Sequence, residues 1–244
     1  ASTFAALELA KKARETSNKA LVVIGRTAGE DKDYEAVEGS YFLTQEEKKL
    51  LETVAEVFED TAVILNVSNI IDMSWLECLE HKEHIRSVLY TWQGGVEAGR
   101  ASADVLTGAV TPSGKLPDTI AYDIKDYPST ENFGNKEKNF YKEDIYVGYR
   151  YFETFAPEKV QFPFGFGLSY TDFSVKVQQA KIQGTGKEAR MILQVSVANI
   201  GTQYSGKEVV QVYYEAPQGK LGKPVRELGV FAKTELLAPG QEQI

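Results

Sequence analysis

The chain has 244 residues, of which 43% are apolar and 25% are charged, a composition typical of globular proteins rather than of disordered, collagen-like or coiled-coil ones. Its 35 acidic and 27 basic residues give a net charge of −8, which argues against a general nucleic-acid-binding protein. No apolar run approaches the roughly 18–20 residues that span a bilayer, so we expect no membrane partner. The single cysteine, Cys78, excludes an intrachain disulfide, and with no signal peptide in view it favours a cytoplasmic location.

The first half of the sequence alternates between strand-like and helix-like segments. Apolar runs at residues 20–25, 62–67 and 85–92 have the length of strands, and residues 20–25 are apolar throughout, which predicts a strand covered on both faces. Helical spacing occurs between these runs, and Thr44 with Glu47 three residues later forms a capping box. Strands separated by helices predict an α/β domain with a mostly parallel sheet and helices on both faces.

The second half changes character after Pro112. Residues 115–117 (Lys-Leu-Pro) suggest an edge strand, because proline cannot donate to a central ladder. Residues 121–168 are aromatic-rich with little helical periodicity, and we interpret them as an extended connecting arm. From Tyr170 onward, short alternating runs separated by turns predict an all-β sandwich. The expected divisions are residues 1–120, 121–168 and 169–244.

The long polar segment at residues 26–43 is the strongest candidate for a site. It leaves the carboxyl end of a predicted parallel strand, where open α/β sheets bind ligands. Loops of this length inside a compact domain are more often functional or disordered than incidental. A carboxylic acid held in a cleft can act as a proton donor. The competing interpretation, which composition alone favours, is a solvated acidic loop. The segment offers the carboxylates of Glu30, Asp31, Asp33, Glu35 and Glu38, with Arg26 close in sequence.

Two other patterns have simpler explanations. His81 and His84 fall short of the three or four ligands of a zinc site, so we expect exposed histidines and no metal. Gly94 and Gly95 stand at a strand-to-helix turn and suggest either anion binding or close packing, of which packing is favoured. Aromatics between residues 141 and 155 either stack on sugar rings or fix the arm to its neighbours, and we favour the second role.

Several longer motifs together resemble the C-terminal part of the family 3 glycoside hydrolases, the β-glucosidase group. The resemblance runs from about residue 18 to the end. The motifs that carry it are residues 26–43 with Gly29-Glu30, 92–99 (Trp-Gln-Gly-Gly-Val-Glu-Ala-Gly), 103–108 (Ala-Asp-Val-Leu-Thr-Gly), 112–117 (Pro-Ser-Gly-Lys-Leu-Pro), 146–152 (Tyr-Val-Gly-Tyr-Arg-Tyr-Phe) and 162–171 (Phe-Pro-Phe-Gly-Phe-Gly-Leu-Ser-Tyr-Thr).

The resemblance implies an α/β sandwich domain followed by a fibronectin type III-like domain, and a retaining mechanism with two carboxylates. Glu30 stands where the family's acid/base glutamate lies, with Asp31 as the nearest rival and Arg26 in a supporting, charge-setting role. The nucleophile, an aspartate, would come from a β/α barrel that precedes these domains in the family. A β-linked glucoside or short oligosaccharide is the implied substrate, and no cofactor is implied.

The departures from the family pattern set a second expectation. The barrel is absent, the first strands of the sandwich domain are missing before Ala1, and the fibronectin-like domain stops at Ile244. We therefore expect this chain alone to be inactive, as a fragment, one half of a nicked enzyme or part of a reordered one. The alternative is a non-catalytic carbohydrate-binding or structural module derived from such an enzyme.

Overall fold

The computed structural model describes residues 3–27 and 33–244 of the chain, which divide into two compact units. The first unit comprises Ala1–Ala101, Ile120–Glu143 and Glu158–Phe162, and the second comprises Ser102–Thr119, Asp144–Pro157 and Pro163–Ile244. Within the described ranges, every helix is too short or too polar to cross a bilayer.

The first unit is built on a parallel sheet. Its strands β1 (Ala20–Gly25), β2 (Thr61–Asn66) and β3 (Ile85–Tyr90) lie in the order β1-β2-β3, and both pairs run parallel. The prediction of a parallel sheet is confirmed, and the third strand ends two residues earlier than expected. All three strands point their carboxyl ends to the same edge.

Helices precede, connect and follow these strands, as the periodicity predicts. Helix α2 begins with the predicted capping box, in which the Glu47 N–H donates to Thr44 Oγ1 at 3.1 Å and the Thr44 N–H donates to Glu47 Oε2 at 2.9 Å. After the last of these helices, Gly108 adopts a φ of +78°, the left-handed conformation that commonly terminates a helix. The helices are α1 (Thr3–Arg14), α2 (Gln45–Val57), α3 (Trp75–Cys78) and α4 (Ala98–Leu106).

The core of the first unit is centred on β2, where Val63 and Leu65 are fully buried. Strand β1 differs from expectation, because Val22 and Ile24 are buried while Leu21 and Val23 are each more than half exposed. The prediction of a strand covered on both faces is therefore wrong for β1 within the described ranges. β1 is an edge strand of this sheet, so fewer neighbours cover it than cover β2.

The predicted connecting arm contains regular structure that the sequence did not indicate. Residues Tyr149–Phe155 form helix α5, preceded by Gly148 at a φ of +62°. Strand β4 (Ile120–Ala121) pairs antiparallel with β5 (Val160–Phe162). The helix was missed because its residues are mostly aromatic or β-branched, types that favour strands by propensity, and burial of Phe152 compensates.

The predicted edge strand at residues 115–117 is not formed. Leu116 instead exchanges two backbone hydrogen bonds with the segment at 165–166, donating to the Phe166 carbonyl at 2.8 Å and accepting from the Gly165 N–H at 2.8 Å. The pairing is too short to extend into a ladder because Pro117 has no N–H to donate.

The remainder of the second unit is antiparallel β structure, which confirms the predicted fibronectin type III-like sandwich. One sheet has the order β10-β7-β6 and the other pairs β8 with β9. The alternating runs in the sequence mark four of the five strands. These are β6 (Phe173–Gln183), β7 (Arg190–Asn199), β8 (Val209–Tyr214), β9 (Glu227–Lys233) and β10 (Glu242–Gln243).

Asn199 at the end of β7 joins several loops of the second unit. Its side-chain N–H groups donate to the carbonyls of Tyr204 and Leu237, both at 2.9 Å. Its Oδ1 accepts from Thr171 Oγ1 at 2.6 Å and from the Gly201 N–H at 3.1 Å. The side chain is 1% exposed and uses both donors and both acceptor positions, so it satisfies loop backbone that would otherwise be buried without partners.

Tyr149 of α5 packs among aromatic residues of the second unit. The Tyr149 ring stacks on Phe164 with centroids 4.8 Å apart and meets the edge of Tyr213 at 5.9 Å. Its hydroxyl accepts a hydrogen bond from the Leu228 N–H at 2.7 Å. Tyr141, in the first unit, is different because it is 85% exposed.

Candidate active site at the carboxyl edge of the parallel sheet

The candidate site lies where β1, β2 and β3 end, at Gly25, Asn66 and Tyr90. Ligands of open α/β sheets bind beyond this edge, because the loops that follow parallel strands converge there. The segment at residues 26–43 is the longest of these connections in the sequence, and the structure describes residues 26–27 and 33–43 of it. The sequence-based placement of the segment after a parallel strand is correct.

Arg26, the first residue after β1, is anchored by five contacts. Its Nη1 and Nη2 lie 2.6 and 2.8 Å from the two carboxylate oxygens of Glu47, a bidentate pair. Its guanidinium also donates to the carbonyls of Ser40 at 3.0 Å, Phe42 at 3.2 Å and Gly25 at 2.8 Å. With 5% of its side chain exposed, Arg26 ties both ends of the loop and the first turn of α2 together.

The Glu47 carboxylate has two roles, as partner of Arg26 and as a member of the capping box. Burial by itself would raise its pKa, but hydrogen bonds from the Arg26 guanidinium and the Thr44 N–H, together with the guanidinium's charge, outweigh burial. The pKa of Glu47 therefore lies below its usual value. The pair is ionised at neutral pH. With the carbonyl contacts it uses all five guanidinium N–H groups, so Arg26 has no donor left for a second carboxylate.

Tyr34 anchors the part of the same loop that follows residues 28–32 in the chain. Its hydroxyl lies 3.1 Å from Ser68 Oγ and accepts from the Ser68 N–H at 3.4 Å. Ser68 follows β2, so this contact fixes the returning part of the loop to the neighbouring strand. Arg26 and Tyr34 thus hold the two stems of the loop against the sheet.

The rest of the loop, residues 33–43, folds back on itself. The Glu35 N–H donates to Ser40 Oγ at 2.9 Å, and the Glu35 carbonyl accepts from the N–H groups of Val37 and Tyr41 at 2.8 and 3.2 Å. Gly39 takes a φ of +77° at the tip. Tyr41 is 4% exposed, and its carbonyl accepts from the Asp72 N–H at 2.9 Å. This half of the loop is therefore held by its own backbone hydrogen bonds, although most of residues 33–39 are exposed.

An aromatic pair lies at the end of β3. The rings of Tyr90 and Trp92 have centroids 4.5 Å apart, and the Tyr90 hydroxyl donates to the Asn69 carbonyl at 2.9 Å. Trp92 adopts a φ of +53°, which is rare for a bulky residue. Backbone strain of this kind concentrates at functional sites. Trp92 is thus a candidate that the residue patterns alone did not single out.

Close packing explains why the turn after Trp92 has a glycine at position 94. A Cβ on Gly94 would lie 2.7 Å from the Ala98 Cβ, well inside contact distance. Close packing at the start of α4 accounts for Gly94, in agreement with the interpretation favoured from the sequence.

The site residues predicted from the sequence have different positions and partners in the structure. Glu30 and Asp31 lie outside the described residues. Arg26 lies at the predicted edge of the sheet, but its guanidinium is already paired with Glu47. The other candidate carboxylates, Asp33, Glu35 and Glu38, are exposed, and Glu38 accepts from Gln45 Nε2 at 2.5 Å. Tyr34 and Ser68 were missed because a contact between residues 34 positions apart leaves no local signal in the sequence.

Comparison with known families agrees with this architecture. Residues 4–170 match the glycosyl hydrolase family 3 C-terminal domain, and residues 208–244 match a fibronectin type III-like domain. The chain belongs to glycoside hydrolase family 3 and represents its C-terminal domains. The resemblance noted in the sequence is confirmed.

The relatives are β-glucosidases. The chain is 50% identical over 235 residues to a β-glucosidase of Ruminococcus albus, covering 96% of this chain and 24% of that protein. A crystal structure of a β-glucosidase from Paenibacillus barengoltzii superimposes with a TM-score of 0.95 at 60% identity, over 97% of this chain and 26% of the other. β-Glucosidase 3B from Thermotoga neapolitana, solved with glucose, has a TM-score of 0.84 at 39% identity, over 100% and 33%. This chain thus spans about a quarter to a third of these relatives.

Proposed function

We propose that this chain supplies the acid/base half of a retaining β-glucosidase active site, with Glu30 as the proton donor. The observation that carries the proposal is the double anchoring of the loop that contains Glu30. Arg26 holds the outgoing stem to α2, and Tyr34 holds the returning stem to Ser68. A general acid must be held in place to act, so a clamped loop at a ligand-binding sheet edge suits this role.

In the proposed reaction, the Glu30 carboxyl protonates the glycosidic oxygen while an aspartate of a β/α barrel attacks the anomeric carbon. The bond to the leaving group breaks, and a glycosyl-enzyme forms. Glu30, now a carboxylate, takes a proton from water, whose oxygen then displaces the aspartate and releases glucose with its configuration retained. The two carboxyl groups must lie about 5–5.5 Å apart, so the loop has to reach the barrel.

The barrel is a partner that this chain does not contain, and the substrate is a β-linked glucoside or short oligosaccharide. Without the nucleophile, no glycosyl-enzyme can form. We therefore expect the 244-residue chain to be inactive by itself. Activity requires it to be joined to, or assembled with, a family 3 barrel.

The test compares a protein in which this chain is joined to a family 3 barrel with its Glu30→Ala variant. Two β-glucosides are used, one with an activated aryl leaving group and one without. Loss of the general acid should lower kcat/KM on the unactivated substrate by about 10²–10⁴-fold. The loss of kcat/KM on the aryl substrate should be much smaller, and azide should restore turnover of the aryl substrate by the variant. Asp31→Asn is the matched control, and unchanged hydrolysis of both glucosides by Glu30→Ala would remove the assignment.

A second candidate function, a non-catalytic carbohydrate-binding module, is favoured by one observation. A cavity of about 280 Å³ in the first unit is lined by Phe133, Phe140 and Tyr141 beside the amides of Asn132 and Asn135. Aromatic faces with a few polar groups suit small-molecule binding. Titration of the chain with cellobiose tests it: saturable binding lost in Tyr141→Ala, with full activity of that variant in the joined enzyme, supports a separate binding role.

A further inference from the structure

The turn between α3 and β3 brings two histidines together. The chain passes through a 3-10 turn at Lys82–His84, and His81 before it adopts a φ of +56°. Histidine tolerates the left-handed region better than most residues, but the conformation is still uncommon. The two imidazole rings lie parallel, with centroids 5.8 Å apart and an interplanar angle of 9°.

A third possible ligand lies beside the rings. His81, Glu83 and His84 each offer one donor atom, and these atoms all lie within 4.8 Å of one another. His81 Nδ1 and Glu83 Oε1 are 4.0 Å apart. Two imidazole nitrogens and one carboxylate oxygen form a ligand set suited to Zn²⁺ and its neighbours among the divalent transition metals.

His84 also has an outer partner. Its Nδ1 lies 2.7 Å from the carbonyl oxygen of Ala55, a buried residue of α2. A carbonyl oxygen can only accept, so Nδ1 is the donor, and in the neutral imidazole the lone pair then lies on Nε2. Histidines that bind metals usually donate their second nitrogen to a carbonyl or carboxylate in this way, which fixes both the tautomer and the ring orientation.

We propose that His81, Glu83 and His84 form a binding site for a divalent transition-metal ion of the Zn²⁺ type. The ion is reached from solvent, because 44% of the His81 side chain and 66% of the Glu83 side chain are exposed. The ammonium group of Lys82 donates to the Glu77 carbonyl at 2.7 Å. Three protein ligands leave room for water at the fourth position of a tetrahedral ion. The sequence alone predicts no metal here, because two histidines are too few ligands. The structure places the Glu83 carboxylate beside them and pairs His84 with the Ala55 carbonyl.

The experiment is calorimetric titration of Zn²⁺ into the 244-residue chain, without an affinity tag. We expect one ion per chain, with Kd raised at least about tenfold, equivalent to 1.4 kcal/mol, in His81→Asn and in His84→Ala, and a smaller rise in Glu83→Gln. His81→Asn preserves the left-handed turn, since asparagine also tolerates that conformation. Thermal melting of each variant without metal separates loss of a ligand from loss of structure.

Two matched controls test nearby alternatives. Glu80→Gln removes an exposed carboxylate outside the cluster, and Cys78→Ser removes an exposed thiol that could bind Zn²⁺ by itself. Both should bind like the unmodified chain. The proposal is overturned if no saturable one-to-one binding occurs, if His81→Asn and His84→Ala bind as well as the unmodified chain, or if Cys78→Ser alone abolishes binding.

Discussion

The guanidinium of Arg26 and the carboxylate of Glu47 form a bidentate ion pair that connects the end of β1 to the first turn of α2. The pair is largely removed from water, with 5% and 22% of the two side chains exposed. The same guanidinium binds two carbonyls of the returning loop at Ser40 and Phe42. One side chain thus fixes three segments that meet at the candidate site.

Breaking this pair should destabilise the chain strongly. Arg26→Met leaves the Glu47 carboxylate partly buried without its partner, which we expect to lower the free energy of unfolding by about 3 kcal/mol. Urea unfolding followed by circular dichroism measures the change. The control is Lys11→Met, which removes the exposed Lys11–Glu8 pair and should change stability by less than about 0.5 kcal/mol. Equal effects of the two substitutions would show that the Arg26 pair has no structural role.

Tyr34→Phe tests the second anchor of the loop, the contact between Tyr34 and Ser68. The expected effect on activity rests on the proposed function. Removal of the hydroxyl loses its contact with Ser68 and loosens the returning stem. In the enzyme joined to a barrel, we expect kcat to fall about tenfold with little change in KM, since about 1.4 kcal/mol corresponds to one hydrogen bond. Tyr141→Phe, at an 85% exposed tyrosine, is the control. A Tyr34→Phe enzyme with normal kcat would mean that the loop needs no anchor at Ser68.

Removal of the Tyr41 hydroxyl should make the chain more stable. That hydroxyl is buried and has no hydrogen-bond partner among the residues that the structure describes. Tyr41→Phe removes the unsatisfied group and keeps the ring, so we expect a gain of about 1 kcal/mol in the free energy of unfolding. A loss of stability in the variant would indicate that the hydroxyl has a partner.

Tyr41 also predicts an alkaline limit of stability. Burial raises the pKa of its hydroxyl well above the usual value of 10.0, with smaller contributions from Tyr127 and Asp72. Above about pH 10 the unfolded chain loses the Tyr41 proton while the folded chain keeps it, so the free energy of unfolding falls as the pH rises. Stability measured from about pH 8 to pH 11 should fall less steeply in Tyr41→Phe than in the unmodified chain.

Asn199 provides a test in the second unit. Asn199→Asp replaces the two N–H donors by a carboxylate oxygen facing the carbonyls of Tyr204 and Leu237, which we expect to destabilise the chain by about 3 kcal/mol. Gln194→Glu makes the same amide-to-acid change at an exposed position of β7 and should be nearly neutral. Thermal melting at neutral pH compares the two variants. Equal melting temperatures would contradict a stabilising role for the Asn199 hydrogen bonds.

Two glycines near the start of α4 should respond oppositely to alanine. At Gly94 the new Cβ would lie 2.7 Å from the Ala98 Cβ, so Gly94→Ala should destabilise by about 1–3 kcal/mol. At Gly99, inside α4, a Cβ meets nothing within 4 Å, so Gly99→Ala should stabilise by about 0.5–1 kcal/mol. Urea midpoints of the two variants should move in opposite directions. A shift of both in the same direction would reject this explanation.

Prediction from the sequence succeeded where the signal is local. The capping box at Thr44 and Glu47 and the alternating strands of the second unit follow from residues a few positions apart. Prediction failed for helix α5, whose aromatic residues favour strands, and for the face of β1 that carries Leu21 and Val23. The contacts that anchor the candidate loop were missed because Arg26 meets Glu47, and Tyr34 meets Ser68, across long separations in sequence.

The exposed face of β1 has a consequence for how the sheet finds its alignment during folding. Because buried and exposed positions of β1 are all apolar, hydrophobic patterning alone distinguishes poorly between the native alignment with β2 and one shifted by a residue. A shifted alignment would displace Arg26 from Glu47 and leave a guanidinium without its partner. The ion pair therefore favours the native alignment over a shifted one, so a residue at the candidate site also contributes to the strand register.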